Sequence, residues 1–158
     1  MLRATSILCV WLATVLLLSC TDHQVPAPVN PHIEIDTDWF DEESEDYVSL
    51  KVNFIQLGNK PIKSYGLVMV KGGYDDDLTP TFNDTVIPFQ NPPVAGINVQ
   101  SYPYNNFFSP NSVDPFGLFF RAFAELEDGT VVYGSSVYSL VYGGPLYGGR
   151  MYYDVRPG

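Results

Sequence analysis

Residues 119–134, FFRAFAELEDGTVVYG, place two apolar runs on either side of the pair Asp128-Gly129. In the first run Leu118, Phe120, Ala122, Ala124 and Leu126 share one parity, and Phe119, Arg121, Phe123 and Glu125 share the other. Successive side chains of a β-strand leave on opposite faces, so this alternation predicts a strand. Small alanines on the inward parity let a facing sheet come close, and the large residues of the other parity shield the outer surface. Asp128-Gly129 predicts a two-residue hairpin turn of the primed type, because glycine takes a positive φ without steric cost. Val131 to Tyr142 is the returning strand. Both of its parities carry apolar residues, so the pattern leaves its inward face open.

Upstream, Val48, Leu50, Val52 and Phe54 alternate with Ser49, Lys51 and Asn53, the clearest half-buried strand in the chain. Gly58-Asn59-Lys60-Pro61 breaks it, and Ile62 to Lys71 forms the next. GGYDDDLTPTFNDT reads as a long turn. Short strands follow at Val86–Phe89 and Val94–Val99, where Pro88, Pro92 and Pro93 restrict them to sheet edges or crossovers. Residues 101–115 form a loop rich in Tyr, Asn, Ser and Pro. Ile33 and Ile35 alternate with Glu34, Asp36 and Asp38 ahead of the first strong strand, and eight acids fall between Glu34 and Asp46. Those acids read either as a solvated edge whose charges prevent strand-to-strand aggregation, or as a contact for a cation or a basic partner. No window after the first twenty residues holds helical periodicity, so the expected class is all-β.

The start of the chain is different. MLRATSILCVWLATVLLLSC has a basic residue, Arg3, then an apolar run of twelve residues from Ile7 to Leu18. That run is shorter than the roughly 20 residues a membrane span needs and has the proportions of a signal-peptide core. Leu17-Leu18-Ser19-Cys20 resembles the lipobox of bacterial lipoproteins, although Leu18 is bulkier than that pattern usually carries. The resemblance implies removal of residues 1–19 and attachment of a diacylglycerol to Cys20, holding the protein to a bacterial membrane, the outer membrane by expectation. The alternative is an ordinary secretory signal cut elsewhere, with Cys20 an incidental thiol. The only other cysteine, Cys9, lies inside the signal, so the mature chain has no intramolecular disulfide and depends on its core. Residues 20–31 are then the lipidated cysteine and a Pro-rich linker, which spans roughly 30 Å when extended and lifts the domain from the membrane.

Composition narrows the classes further. The chain of 158 residues is 46% hydrophobic and 15% aromatic, with 13 glycines and 13 prolines, as expected for one globular domain of short strands and tight turns. A formal net charge of −10 disfavours nucleic-acid binding and electrostatic attachment to anionic lipid headgroups.

Arg121, Ala122, Phe123, Ala124, Gly129, Thr130, Tyr133 and Gly134 resemble the penultimate-to-last strand hairpin of fibronectin type III-like domains. The likeness is to the variant that recurs in bacterial surface lipoproteins. Ile62, Tyr65 and Gly66 are similar to an earlier strand of the same family. The resemblance covers most of residues 46–142. It implies an antiparallel two-sheet sandwich, fibronectin type III/immunoglobulin-like, over residues 32–142, with a C-terminal extension over 143–158. Leu118 stands where the family carries its corner tyrosine and Leu126 where it carries asparagine, so the corner hydrogen bond is expected to be missing. The extension GGPLYGGRMYYDVRPG is expected to dock in part as an extra strand over Phe119 and Phe123, since Met151, Tyr152, Tyr153 and Val155 are costly to leave in water.

The inventory for catalysis is thin. His23 and His32 lie in or at the end of the linker, a poor place for a rigid general base. There is no nucleophile elbow, phosphate-cradling loop or His/Cys metal spacing, and neither a cofactor nor a metal is expected. The acids are plentiful enough for a glycosidase-like pair, but nothing signals the burial that separates their pKa values. Tyr102, Tyr104, Phe107 and Phe108 in SYPYNNFFSP offer a stacking platform for a sugar, or else plug the end of the sandwich. Asn83-Asp84-Thr85 reads as turn chemistry rather than a glycosylation site, and Asp75–Asp77 as a solvated loop rather than a calcium site. The expected function is a non-enzymatic, membrane-anchored envelope module for protein contact or assembly. The alternatives are a carbohydrate-binding surface lipoprotein using the aromatic loop and, behind it, a small hydrolase.

Overall fold

The structure is a computed structural model that describes residues 26–42, 47–73, 76–103, 106–107, 116–142 and 151–157. Among the described residues eight strands follow one another: β1 (His32–Glu42), β2 (Tyr47–Gln56), β3 (Ile62–Gly72), β4 (Thr85–Pro88), β5 (Gly96–Pro103), β6 (Phe116–Leu126), β7 (Val131–Tyr142) and β8 (Met151–Pro157). They form two antiparallel sheets, one ordered β1-β2-β5 and the other β4-β3-β6-β7-β8. Ile33, Ile35, Val48, Leu50, Val52 and Phe54 from the smaller sheet meet Tyr65, Leu67, Phe120, Ala122, Ala124 and Leu140 from the larger in one buried cluster. The protein is therefore an all-β, two-sheet sandwich.

The alternation in β6 works as expected. Leu118, Phe120, Ala122 and Ala124 enter the inter-sheet core, and Phe119 and Phe123 are buried on the opposite face. Burial on that outer face comes from two other segments. Phe82, in the connection between β3 and β4, meets Phe123 edge-on at 5.2 Å, and its amide donates to the Tyr133 hydroxyl at 2.8 Å. The Arg156 guanidinium of β8 lies 4.9 Å over the Phe119 ring, donates to the Leu78 carbonyl at 2.6 Å and pairs with Asp77. The C-terminal segment thus docks as an edge strand beside β7, and it covers Phe119 while Phe82 covers Phe123.

The turn after β6 differs from the expected primed pair. Leu126 and Thr130 close the hairpin (Leu126 N–H to Thr130 O, 2.8 Å), so Glu127, Asp128 and Gly129 form a three-residue loop. Only Gly129 has a positive φ, 82°, whereas a primed turn on Asp128-Gly129 needs the first of its residues there too. The local bonding explains the choice. The Asp128 carboxylate accepts the Thr130 amide at 2.9 Å and lies 3.2 Å from Lys60 Nζ, so Asp128 is held at negative φ and one glycine supplies the reversal.

Those partners hold the Asp128 carboxyl down at about 2, from an ordinary 3.8, through the Thr130 hydroxyl, the Thr130 amide and then Lys60. Glu125 is lowered as well, by hydrogen bonds from Lys63 and Ser64. A carboxylate held below its unfolded pKa stabilises the fold above that value and loses the contribution as pH falls through the folded one. The melting temperature is accordingly expected to decline between about pH 4 and pH 2. Replacement of Asp128 by Asn should flatten that decline, and an unchanged acid limb in calorimetry would count against the hairpin contacts.

β7 explains why its parity is illegible. Arg121 pairs with Val137 and Phe123 with Tyr133, so residues 134–136 oppose Ala122 alone. Arg121 Nε donates to the Gly134 carbonyl at 2.8 Å, and the Ser135 amide donates to both Glu34 carboxylate oxygens of β1 at 2.9 Å. The bulge is thus gripped from both sheets. Beyond it, Tyr138 and Leu140 face the core.

Tyr65 fastens the two sheets together. Its ring lies between Phe54 (5.2 Å) and Phe89 (5.5 Å), and its hydroxyl reaches the Asn91 carbonyl at 2.9 Å and Asn98 Oδ1 at 3.2 Å. The side chain from β3 therefore pins the β4–β5 crossover and touches β5 in the other sheet. Burial pushes its pKa up, which keeps the hydroxyl a donor.

Candidate functional site

Register places the ends of the sandwich unambiguously. His32 opposite Gln56, Phe54 opposite Gly96, and Ile62 opposite Leu126 mark one pole; Tyr47 opposite Pro103, Gly72 opposite Gly117, and Phe116 opposite Tyr142 mark the other. Residues 26–31, the described part of the expected tether, join the body at the first pole, and β1 runs from there to the far one, where Glu42 lies opposite Val48.

The tether is held on arrival. Asn59, in the β2–β3 turn, accepts the Val29 amide on Oδ1 at 2.7 Å and donates its amide nitrogen to the Ala27 carbonyl at 3.0 Å. Its backbone N–H meets the Val29 carbonyl at 3.1 Å. Residues 26–31 therefore belong to the folded body, and Pro31 is buried. The expected 30 Å spacer is shorter by that much. Cys20 lies outside the described residues.

The aromatic candidates separate. Phe107 is 4% exposed and packs against Phe40 (6.2 Å), Tyr102 (5.1 Å) and Phe120 (5.7 Å). It closes the far end of the core and presents no free ring face. Tyr102 is half-buried against the same cluster. Tyr104 and Phe108 lie outside the described residues.

The acids are placed as follows. β1 is an edge strand with a register shift between Ile35 and Phe40, and Asp36 Oδ1 accepts the Asp38 amide at 3.1 Å. Residues 43–46, and Asp75, lie outside the described residues. Asp76 accepts the Gly73 amide at 2.6 Å, and Asp77 pairs with Arg156, so both serve the β3–β4 connection. Asp84 accepts the Thr81 amide at 2.7 Å, which is turn chemistry. Among the described residues no three His, Cys, Asp or Glu converge as a metal site would require.

One surface was not foreseen. Alternation would put Ile97 and Val99 of β5 inside, yet the strand is inverted. Asn98 is buried, accepting the Val94 amide at 3.0 Å and donating to the Val94 and Gly96 carbonyls at 2.8 and 2.9 Å. Gln100 Oε1 accepts the Gln90 amide at 3.0 Å, and Tyr102 joins the core. Those inward side chains tie down the crossover and turn Ile97 and Val99 out, beside Asn53 and Lys51 of β2. The available signal was weak: a short apolar alternation whose other parity is polar but capable of amide bonding.

The chain is thus a two-sheet β-sandwich, with residues 26–31 at one end and the close of β1 at the other. No protein-family model, curated protein or solved structure matches it significantly.

Proposed function

We propose that this protein is a non-enzymatic, lipid-anchored cell-envelope module, a single fibronectin type III-like sandwich that makes protein contacts. The order β1-β2-β5 facing β4-β3-β6-β7 supports the fibronectin type III-like reading, with β8 as an addition at the edge. The observation that carries the function is the course of β1. It begins where residues 26–31 join the body and ends at Glu42 at the opposite pole, so a Cys20 anchor at the first pole would leave Asp41 and Glu42 at the second, clear of the attachment point.

A partner that meets this pole carries complementary basic side chains, and exposed charges are screened within about 3 Å at 1 M salt. Co-purification from detergent-solubilised envelopes, without cross-linking, is expected to retain a protein partner at low salt and lose it at high salt. Asp41→Asn combined with Glu42→Gln, at the far end of β1, should weaken it. Retention of the same partner by that variant, at full yield, overturns the assignment of the pole. Intact mass tests the anchor separately, because an unmodified Cys20 removes the lipoprotein reading whatever the partner does.

A further inference from the structure

We propose that the inverted face of the smaller sheet rests on the lipid surface to which the chain is anchored. This rests on acylation at Cys20 and adds an orientation: the sandwich lies against the membrane on its β2–β5 face.

Three observations lead there. The first is the apolar surface itself. Ile55 (57% exposed), Val94 (55%), Ile97 (55%) and Val99 (45%) project into solvent on or beside that face. Ile97 pairs with Asn53 and Val99 with Lys51, which places Ile55, Ile97 and Val99 on the same outward side. Because Asn98, Gln100 and Tyr102 fill the inward parity, no repacking of β5 can hide these side chains without a register slip that exposes the others.

The second is location. Ile55 and Ile97 lie at the tether pole, and Val29, exposed on the tether itself, is fastened there by Asn59. From Cys20 to Pro26 the chain is six peptide steps, at most about 20 Å. The anchored cysteine can go no farther than that from the body, so this face is within reach of the bilayer that holds the acyl chains.

The third is charge. Residues 85–103 contain no charged side chain, and residues 47–59 contain only Lys51. In a chain of net charge −10, this is a surface that anionic headgroups do not repel. Of the acids on β1, Glu34 is turned to the Ser135 amide, and Asp36 and Asp38 lie on the far edge of the sheet, across β2 from β5. Branched apolar side chains with no acid among them suit the boundary between headgroups and acyl chains, where an apolar face sinks in.

The test uses the full chain purified as its mature product, with acylation checked by intact mass. A thiol-reactive fluorophore is placed at Ile97→Cys or, as control, at Asn83→Cys, which is exposed on the connection covering the opposite sheet. Each protein is reconstituted into phosphatidylethanolamine/phosphatidylglycerol vesicles doped with a lipid carrying a nitroxide high in its acyl chain. The label at 97 should be quenched about threefold more than the label at 83. A third label, at Ile55→Cys, should lose its quenching when Ile97→Asp and Val99→Asp are added, with the melting temperature unchanged. Equal quenching at 97 and 83 overturns the proposal, as does a label at 97 that is shielded from aqueous iodide yet unquenched by the lipid, since a protein would then cover the face. If Cys20 carries no lipid, the anchor fails by mass, a result separate from any quenching value.

Discussion

Replacing Phe120 by alanine is expected to lower the unfolding free energy by about 3–5 kcal/mol, as large aromatic deletions in closed cores do. Phe120 is fully buried in the central strand of the larger sheet, between Met69 on β3 and Tyr138 on β7. Phe107 meets its ring from the far pole, with centroids 5.7 Å apart. A cavity there cannot collapse easily. Of its neighbours in β6 on the same face, Leu118 is paired with both β3 and β7 and Ala122 with Leu67 of β3, and an alanine has no longer rotamer with which to fill space. No cysteine lies among residues 21–158, so no disulfide within them limits the unfolded ensemble and the loss falls on the core. In urea the midpoint should move down with the slope unchanged, and the melting temperature should fall by roughly 10–20 °C. A loss under about 1 kcal/mol would mean that the two sheets do not close over this ring.

How much of this was readable depended on whether the physics was local. β2 announced itself because Val48, Leu50, Val52 and Phe54 face a dry core while Lys51 and Asn53 face water, a contrast that period two makes visible. β6 was readable for the same reason on its inner parity. Its outer parity was not, because the partners of Phe119 and Phe123 come from Arg156 and Phe82, distant in sequence. β7 hid its parity behind a bulge that a side chain from each sheet stabilises. The hairpin was located correctly, and its type was missed because the competing bonds of Asp128 to Thr130 and Lys60 are not a property of the dipeptide. The candidate surfaces follow the same division. The acidic run was plain in the sequence, and the fold adds that Asp41 and Glu42 stand at the far pole. The β5 face was missed, because a strand with amides inside and branched aliphatics outside reads backwards. The amides earn their places through a crossover that only the fold reveals.

Gly66→Val is expected to cost about 3 kcal/mol or more, through a mechanism different from loss of packing. Gly66 has φ 152°, a region that side-chain-bearing residues rarely adopt, and a β-branched residue there is strained by about 1–3 kcal/mol before any contact is considered. Contact then adds to it. A Cβ at this position would overlap the Ile87 carbonyl and stand 3.1 Å from the Phe89 amide, both backbone groups that cannot swing aside. The groups displaced are those that Tyr65 depends on, since the Phe89 amide donates to the Tyr65 carbonyl at 2.9 Å and the Phe89 ring flanks the Tyr65 ring. β4 pairs with β3 over only four residues, Gly66 to Met69, so it is the strand least able to absorb the displacement. The local consequence should therefore exceed the global one. Amide exchange is expected to accelerate in β4 and in the crossover to β5 before the β6–β7 hairpin responds. Because the crossover holds Asn98 and thereby the outward aim of Ile97 and Val99, the same substitution should also disturb the β5 face from a distance. Uniform acceleration across all strands, with β4 no faster than β6, would show that the Tyr65-Gly66 pair is ordinary strand rather than the pin between the two sheets.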